Sequence, residues 1–236
     1  MALDHALRDR ADADGTTVLR LYQWSDDTIS FGANEAACRH WDRARIEQEG
    51  IPTVRRPTGG RAVWHDSSDL TYAVTGSTAS FGGVRAAYDT IHRGLAAAFS
   101  CLGHPAVLAS APRQLPGLRR GACFDVAVGG EVMIGDTKVI GSAQVVSRDA
   151  LLQHGAIARG DRVLPLTRYR RDGDEMNTSP VRWPVLPTAA LIAEAIIAEW
   201  ETRGGRSIPP ELTRWADAAS VKHKERYCDP LWTWRR

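Results

Sequence analysis

Between residues 84 and 102 the apolar positions Val84, Tyr88, Ile91, Leu95, Ala98 and Leu102 step by 4, 3, 4, 3 and 4. That spacing lays one apolar stripe along a helix, so the segment predicts an amphipathic helix packed on a core, with Gly103 as its stop. Elsewhere the period falls to two. Val18-Leu-Arg-Leu-Tyr-Gln-Trp alternates as a strand, and Thr28-Ile-Ser-Phe reads as a short second one. Thr53-Val-Arg-Arg, Arg61-Ala-Val-Trp-His and Leu70-Thr-Tyr-Ala-Val read as β structure around a glycine-rich turn. Residues 122–158 read as β again. There, Glu131-Val-Met-Ile and Lys138-Val-Ile, joined by Gly135-Asp-Thr, predict a hairpin. Helices are expected over 2–11, 39–50, 188–202 and 211–226, with loops over 111–121 and 167–187.

Helices and strands are interspersed without strict alternation of strand, helix and strand. That predicts an α+β fold with a mixed or antiparallel sheet flanked by helices. A single domain is expected over 1–236, with 188–236 as its helical C-terminal part and no accessory domain.

Composition narrows the function. Apolar residues make up 43% of the 236 positions and charged residues 25%, which excludes wholesale disorder. Thirty Lys plus Arg against 28 Asp plus Glu leave a net charge of +2, too weak a field to predict a nucleic-acid or membrane partner. No apolar run approaches about 18–20 residues, and the first residues do not follow a secretion pattern. Cys38, Cys101, Cys123 and Cys228 are scattered, with no Cys-x-x-Cys, so neither a metal site nor a disulfide framework is expected. A cytoplasmic address follows, and each cysteine is by default a small buried hydrophobe. Gly-x-Gly-x-x-Gly, the phosphate loop and Gly-x-Ser-x-Gly are all absent, and no cofactor is predicted.

Three stretches carry candidate chemistry. In Arg55-Arg-Pro-Thr-Gly-Gly-Arg-Ala-Val-Trp-His-Asp66, Gly59 and Gly60 let backbone N–H groups approach a ligand closely. Arg56 and Arg61 could hold an anion there, and Val63 and Trp64 could line an apolar slot. The plainer alternative is a β-hairpin whose arginines face water. In Lys138-Val-Ile-Gly-Ser-Ala-Gln144, the small residues Gly141, Ser142 and Ala143 leave room beside the strand, and a lysine there could donate to an oxyanion. The alternative is an exposed lysine at the start of a strand. In Gly121-Ala-Cys-Phe-Asp125, Cys123 sits where a loop becomes a strand. A nearby cation would favour its nucleophilic thiolate, and Lys138 lies across one predicted hairpin.

Taken in order, Arg-Arg-Pro-Thr-Gly-Gly-Arg-Ala-Val-x-His-Asp, Leu-Thr-Tyr, Ala-Cys-Phe-Asp, Lys-Val-x-Gly-Ser-Ala-Gln and Leu-Gln-His-Gly resemble the biotin/lipoate A/B protein ligase family. The resemblance is strongest to its cysteine-type octanoyltransferases and covers nearly the whole chain. It implies a fold similar to the biotin synthetase and class II aminoacyl-tRNA synthetase catalytic core. It implies Cys123 as the acyl-thioester nucleophile with Lys138 beside it, and Arg56, Gly59, Gly60, Arg61 and His65 as the acyl-binding loop region. Gly141, Ser142, Ala143, His154 and Gly155 would wall the pocket. The implied donor is octanoyl-acyl carrier protein. The implied acceptor is a lipoyl-domain protein such as the glycine cleavage H protein or a 2-oxoacid dehydrogenase E2. Two departures stand out: Val126-Ala-Val-Gly-Gly130 replaces a segment of small and aromatic residues, and the family's short strand before the Ala-Leu-Asp helix is expected to be missing. Three other readings remain open: an ATP-dependent lipoate-protein ligase, an amidotransferase between lipoyl domains, and a catalytically silent binder of lipoyl or acyl carrier proteins.

Overall fold

The computed structural model describes residues 1–110, 130–159, 166–171 and 184–235. Its centre is a four-stranded antiparallel sheet in the order β1 (Val18–Tyr22), β5 (Leu70–Ser77), β10 (Ala150–Ile157), β9 (Ile140–Ser147). β10 is buried at every position and β5 at all but its last, so the two central strands are covered on both faces. Leu70, Tyr72 and Val74 of β5 and Ile140 and Ile157 on the neighbouring strands share one core with Ile91, Leu95 and Phe99 of helix α4 (Val84–Cys101). Ile192 and Ile196 of α5 (Ala189–Thr202) join the same core. Each such side chain contributes roughly 1.5–3 kcal/mol by leaving water. Helix α1 (Ala2–Asp14) packs against β5, β10 and α6 (Pro210–Cys228).

A second sheet has the order β3 (Thr53–Arg55), β2 (Thr28–Phe31), β4 (Val63–His65). β3 is parallel to β2 and β4 is antiparallel to it, so the glycine-rich stretch does not close a hairpin. Its two arms flank a third strand instead. Turn residues set local direction, and the buried apolar positions Ile29, Phe31 and Trp64 set the pairing. A third small sheet joins β6 (Ala106–Leu108), β7 (Val132–Ile134) and β8 (Thr137–Lys138). The predicted hairpin is present, with Met133 opposite Lys138 and Gly135 at φ 57 in its turn.

The amphipathic helix forms as predicted, with Gly103 at φ 78 just past its end. The helix expected over 39–50 is in fact two, α2 (Ala37–His40) and α3 (Arg43–Gln48). Trp41 between them is extended, bridges to Arg170 and is buried near Phe31, and Asp42 then caps α3 through Arg45 N. A buried indole and a strong cap together outweigh helix continuation. A short helix, α7 (Pro230–Thr233), follows α6. The cysteine expectation is corrected: Cys38, Cys101 and Cys228 are exposed, lying on or beside helix surfaces rather than in the core. Among the described residues no helix is long and apolar enough to cross a membrane.

Candidate active site

The β9–β10 register places Ala143 opposite His154, Ser142 opposite Gly155 and Gly141 opposite Ala156. Side chains alternate across a strand, so Ala143, His154 and Ala156 face away from α4, towards the second sheet. The space between the sheets is a pocket of about 370 Å³ including its open mouth. Arg56, His65, Gly141, Ser142, Ala143, His154 and Gly155 line it together with Val63. The pocket surface is mainly apolar, with Met1, Tyr22, Trp24, Val63, Ala143 and Ala156 among its lining residues.

Gly155 is required by the packing. A Cβ there would come within 2.6 Å of Gly141 O, 2.7 Å of Ser142 Oγ and 2.7 Å of the Tyr72 ring. Gly32 is equally constrained, since a Cβ would overlap the Gly60 carbonyl where the glycine-rich loop crosses β2. Gly60 itself sits at φ 93. Gly59, Gly60 and Arg61 do not line the pocket; they form the loop behind Arg56.

Arg56 is buried and turned inward. Its guanidinium donates to the carbonyls of Ser30, Gly59 and Arg61 and to Ser30 Oγ, at 2.6–3.2 Å. It therefore shapes the loop as well as lining the pocket. Its neighbour Arg55 points the other way and is fully buried. Arg55 donates to carbonyls of Gly32 and Glu35 on one side and of Trp232, Thr233 and Arg235 on the other. Sequence reading passed over Arg55, Tyr22, Trp24, Ser30 and Thr71. Trp24 stacks on His65 with ring centroids 4.6 Å apart and donates to Thr71 Oγ1. The alternation Leu21-Tyr-Gln-Trp24 was the available signal, because it puts Tyr22 and Trp24 on one side of the chain.

Two histidines are held neutral. Burial pushes His154 down to about 3, the Asp4 charge opposing and Arg56 adding to the effect; its Nε2 lies 2.6 Å from Thr58 Oγ1. Burial likewise pushes His92 down to about 4. His92 Nδ1 meets the Gly130 carbonyl at 2.6 Å, so it is the protonated nitrogen, and Nε2 accepts from Ser142 Oγ at 2.8 Å. Tyr72 OH then donates to Ser142, at 2.6 Å, and Gln153 Nε2 donates to Tyr72 OH.

Lys138 is buried rather than exposed at its strand start. Its Nζ lies 2.6 Å from Glu131 Oε1, with the side chains 5% and 4% exposed. Glu131 was not singled out from the sequence. Cys123 and the rest of 111–129 lie outside the described residues. Among the described residues one group could offer three metal ligands, His5, Asp9 and His223 between α1 and α6. Its carboxylate is shared with Lys222 at 3.0 Å and Arg8 at 3.5 Å, so cations already meet that charge.

Residues 1–174 match the lipoyl protein ligase A/B catalytic domain family. Octanoyltransferase LipM of Carboxydothermus hydrogenoformans is 39% identical over 161 residues, covering 66% of this chain and 59% of that protein. Octanoyltransferase LipM of Kyrpidia tusciae is 32% identical over 262 aligned positions, covering 100% of this chain and 94% of that protein. Two solved structures share the fold at 21% identity and 99% coverage of this chain. One is lipoate-protein ligase A bound with ATP, at TM-score 0.73 and covering 92% of that chain. The other is from an archaeal lipoylation system of Thermoplasma acidophilum, comprising a bi-partite lipoate protein ligase and its E2 lipoyl domain, at TM-score 0.70 and covering 89% of that chain.

Proposed function

The chain belongs to the lipoyl protein ligase A/B catalytic domain family, and on that premise we propose that it is an N-octanoyltransferase using Cys123 as a thioester nucleophile. It takes the octanoyl group from octanoyl-acyl carrier protein and delivers it to a lysine of a lipoyl-domain protein, such as the glycine cleavage H protein or a 2-oxoacid dehydrogenase E2. The observation that carries the reading is the convergence of residues from four of the five spaced motifs on one apolar pocket, in a chain 32–39% identical to two octanoyltransferases.

The Cys123 thiolate attacks the donor thioester, forms the octanoyl-enzyme and releases the carrier thiol. The acceptor amine then attacks, forms the amide, gives up its proton and returns the cysteine sulfur. Lys138 supports the thiolate and passes the proton. Among the described residues β9 is an edge strand, so alternate N–H groups near Gly141–Ala143 point away from the β10 ladder and suit an oxyanion. An eight-carbon chain in the pocket gains about 0.8 kcal/mol per buried CH₂. The ATP-dependent ligase shares this fold, and it has no use for Cys123.

Intact-mass measurement after mixing with octanoyl-acyl carrier protein tests the reading. A hydroxylamine-labile octanoyl adduct, lost in Cys123→Ser, is expected. Undiminished transfer by Cys123→Ser would remove the thioester mechanism.

A further inference from the structure

We propose that Glu131 is a positioning residue that sets the aim of Lys138, with His92 bracing the turn that carries Glu131; this rests on the transfer reading above.

The first observation is the pair itself. The ammonium and carboxylate meet at 2.6 Å and both are nearly sealed from water. A buried carboxylate is costly to keep unless it holds a cation, and a buried ammonium needs the same compensation. The second is how firmly Glu131 is placed. Gly130 N donates to Ala109 O at 2.8 Å, Ala109 N donates to Glu131 O at 2.7 Å, and His92 Nδ1 holds Gly130 O. Gly130 sits at φ 91, and a Cβ on it would press on the Tyr88 ring at 3.3 Å. The third is the support behind His92, the Ser142–Tyr72–Gln153 chain, which joins this turn to the strand that walls the pocket.

The carboxylate fixes where the Lys138 ammonium sits. From that place the lysine supports a thiolate and a developing oxyanion. Glu131 has its proposed effect through Lys138, the cation that its carboxylate meets.

Kinetics of octanoyl transfer test this. Glu131→Gln keeps the shape and removes the charge. It should lower kcat at least about tenfold with KM for the carrier protein within about twofold. Glu131→Asp should restore part of the lost kcat. In a Lys138→Met background Glu131→Gln should cost no further activity, because the two act as one unit. Equal cost in both backgrounds, or an unchanged kcat in Glu131→Gln, would overturn the proposal. Should Glu131→Gln fail to fold, Glu131→Asp carries the same comparison in both backgrounds. A separate readout needs no turnover: acetic anhydride should label Lys138 faster in Glu131→Gln than in wild type at pH 8, scored by peptide mass. If wild type forms no octanoyl adduct, the transfer reading fails. Unchanged Lys138 labelling would then show that Glu131 does not govern the lysine.

Discussion

Lowering the pH from 7 to 5 should weaken this fold through His92 and His154. Both are buried and neutral in the folded state, at about 4 and about 3, against the ordinary value of 6.5. Below 6.5 the unfolded chain therefore binds protons that the folded chain refuses, and stability falls with pH. The contribution is complete above 6.5 and is lost progressively as pH drops towards the folded values. Between pH 7 and 5 each histidine costs about 2 kcal/mol, at about 1.4 kcal/mol per unit. Together they take about 4 kcal/mol from a domain stability of roughly 5–15 kcal/mol. His5, pushed down to about 4 by burial, and His223 act with the same sign. Asp4, Asp9, Asp14 and Glu49 are all shifted downwards and act below this window. In Asp4 burial raises the carboxyl, but a neighbouring ammonium and Arg20 outweigh it, so its stabilisation is lost only as pH falls below about 4. Urea unfolding at pH 7, 6 and 5 measures the slope. The double variant His92→Gln with His154→Gln should lose most of it, whatever its stability at pH 7. A double variant as acid-sensitive as wild type would refute the assignment of these two groups.

Gly155→Ala should lower the thermal midpoint and raise KM for octanoyl-acyl carrier protein, because its methyl meets backbone on β9 as well as movable side chains. Arg55→Met should destabilise by several kcal/mol, read by urea unfolding, since it strips donors from buried carbonyls in two segments at once. Trp24→Ala should widen the pocket and raise the donor KM while leaving the Cys123 adduct chemistry intact, a split visible in steady-state kinetics. Cys38→Ala, Cys101→Ala and Cys228→Ala should keep the mass adduct, as their side chains are exposed and away from the pocket.

The strongest sequence signals were periodic. α4 was legible because six apolar residues keep one stripe, and β1 and β5 because alternation and β-branched residues mark strands. Pocket residues were legible as motifs, since Arg56, His65, Gly141, Ala143, His154 and Gly155 meet there. Pairwise facts were not. Arg55 and Arg56 are adjacent and alike in type, and only the strand's alternation decides which one faces the pocket. Glu131 gains meaning from the hairpin register that brings Lys138 to it. β6 has three residues, too few for any period to show. The break at Trp41 depends on partners such as Phe31 and Arg170, which no local pattern announces.

Arg55 also imposes an order of events. The glycine-rich loop begins at residue 56, yet its brace reaches carbonyls about 180 positions later, at Trp232, Thr233 and Arg235. A ribosome that makes about 5–20 residues per second therefore exposes the loop many seconds before its brace exists. Closing so long a span is among the slower contacts a chain can make. The wall of the pocket that Arg56 shapes is thus set late, after the central sheet has residues enough to pair. Substitutions in residues 232–235, far from the pocket in sequence, should be felt first as slower acquisition of activity during refolding.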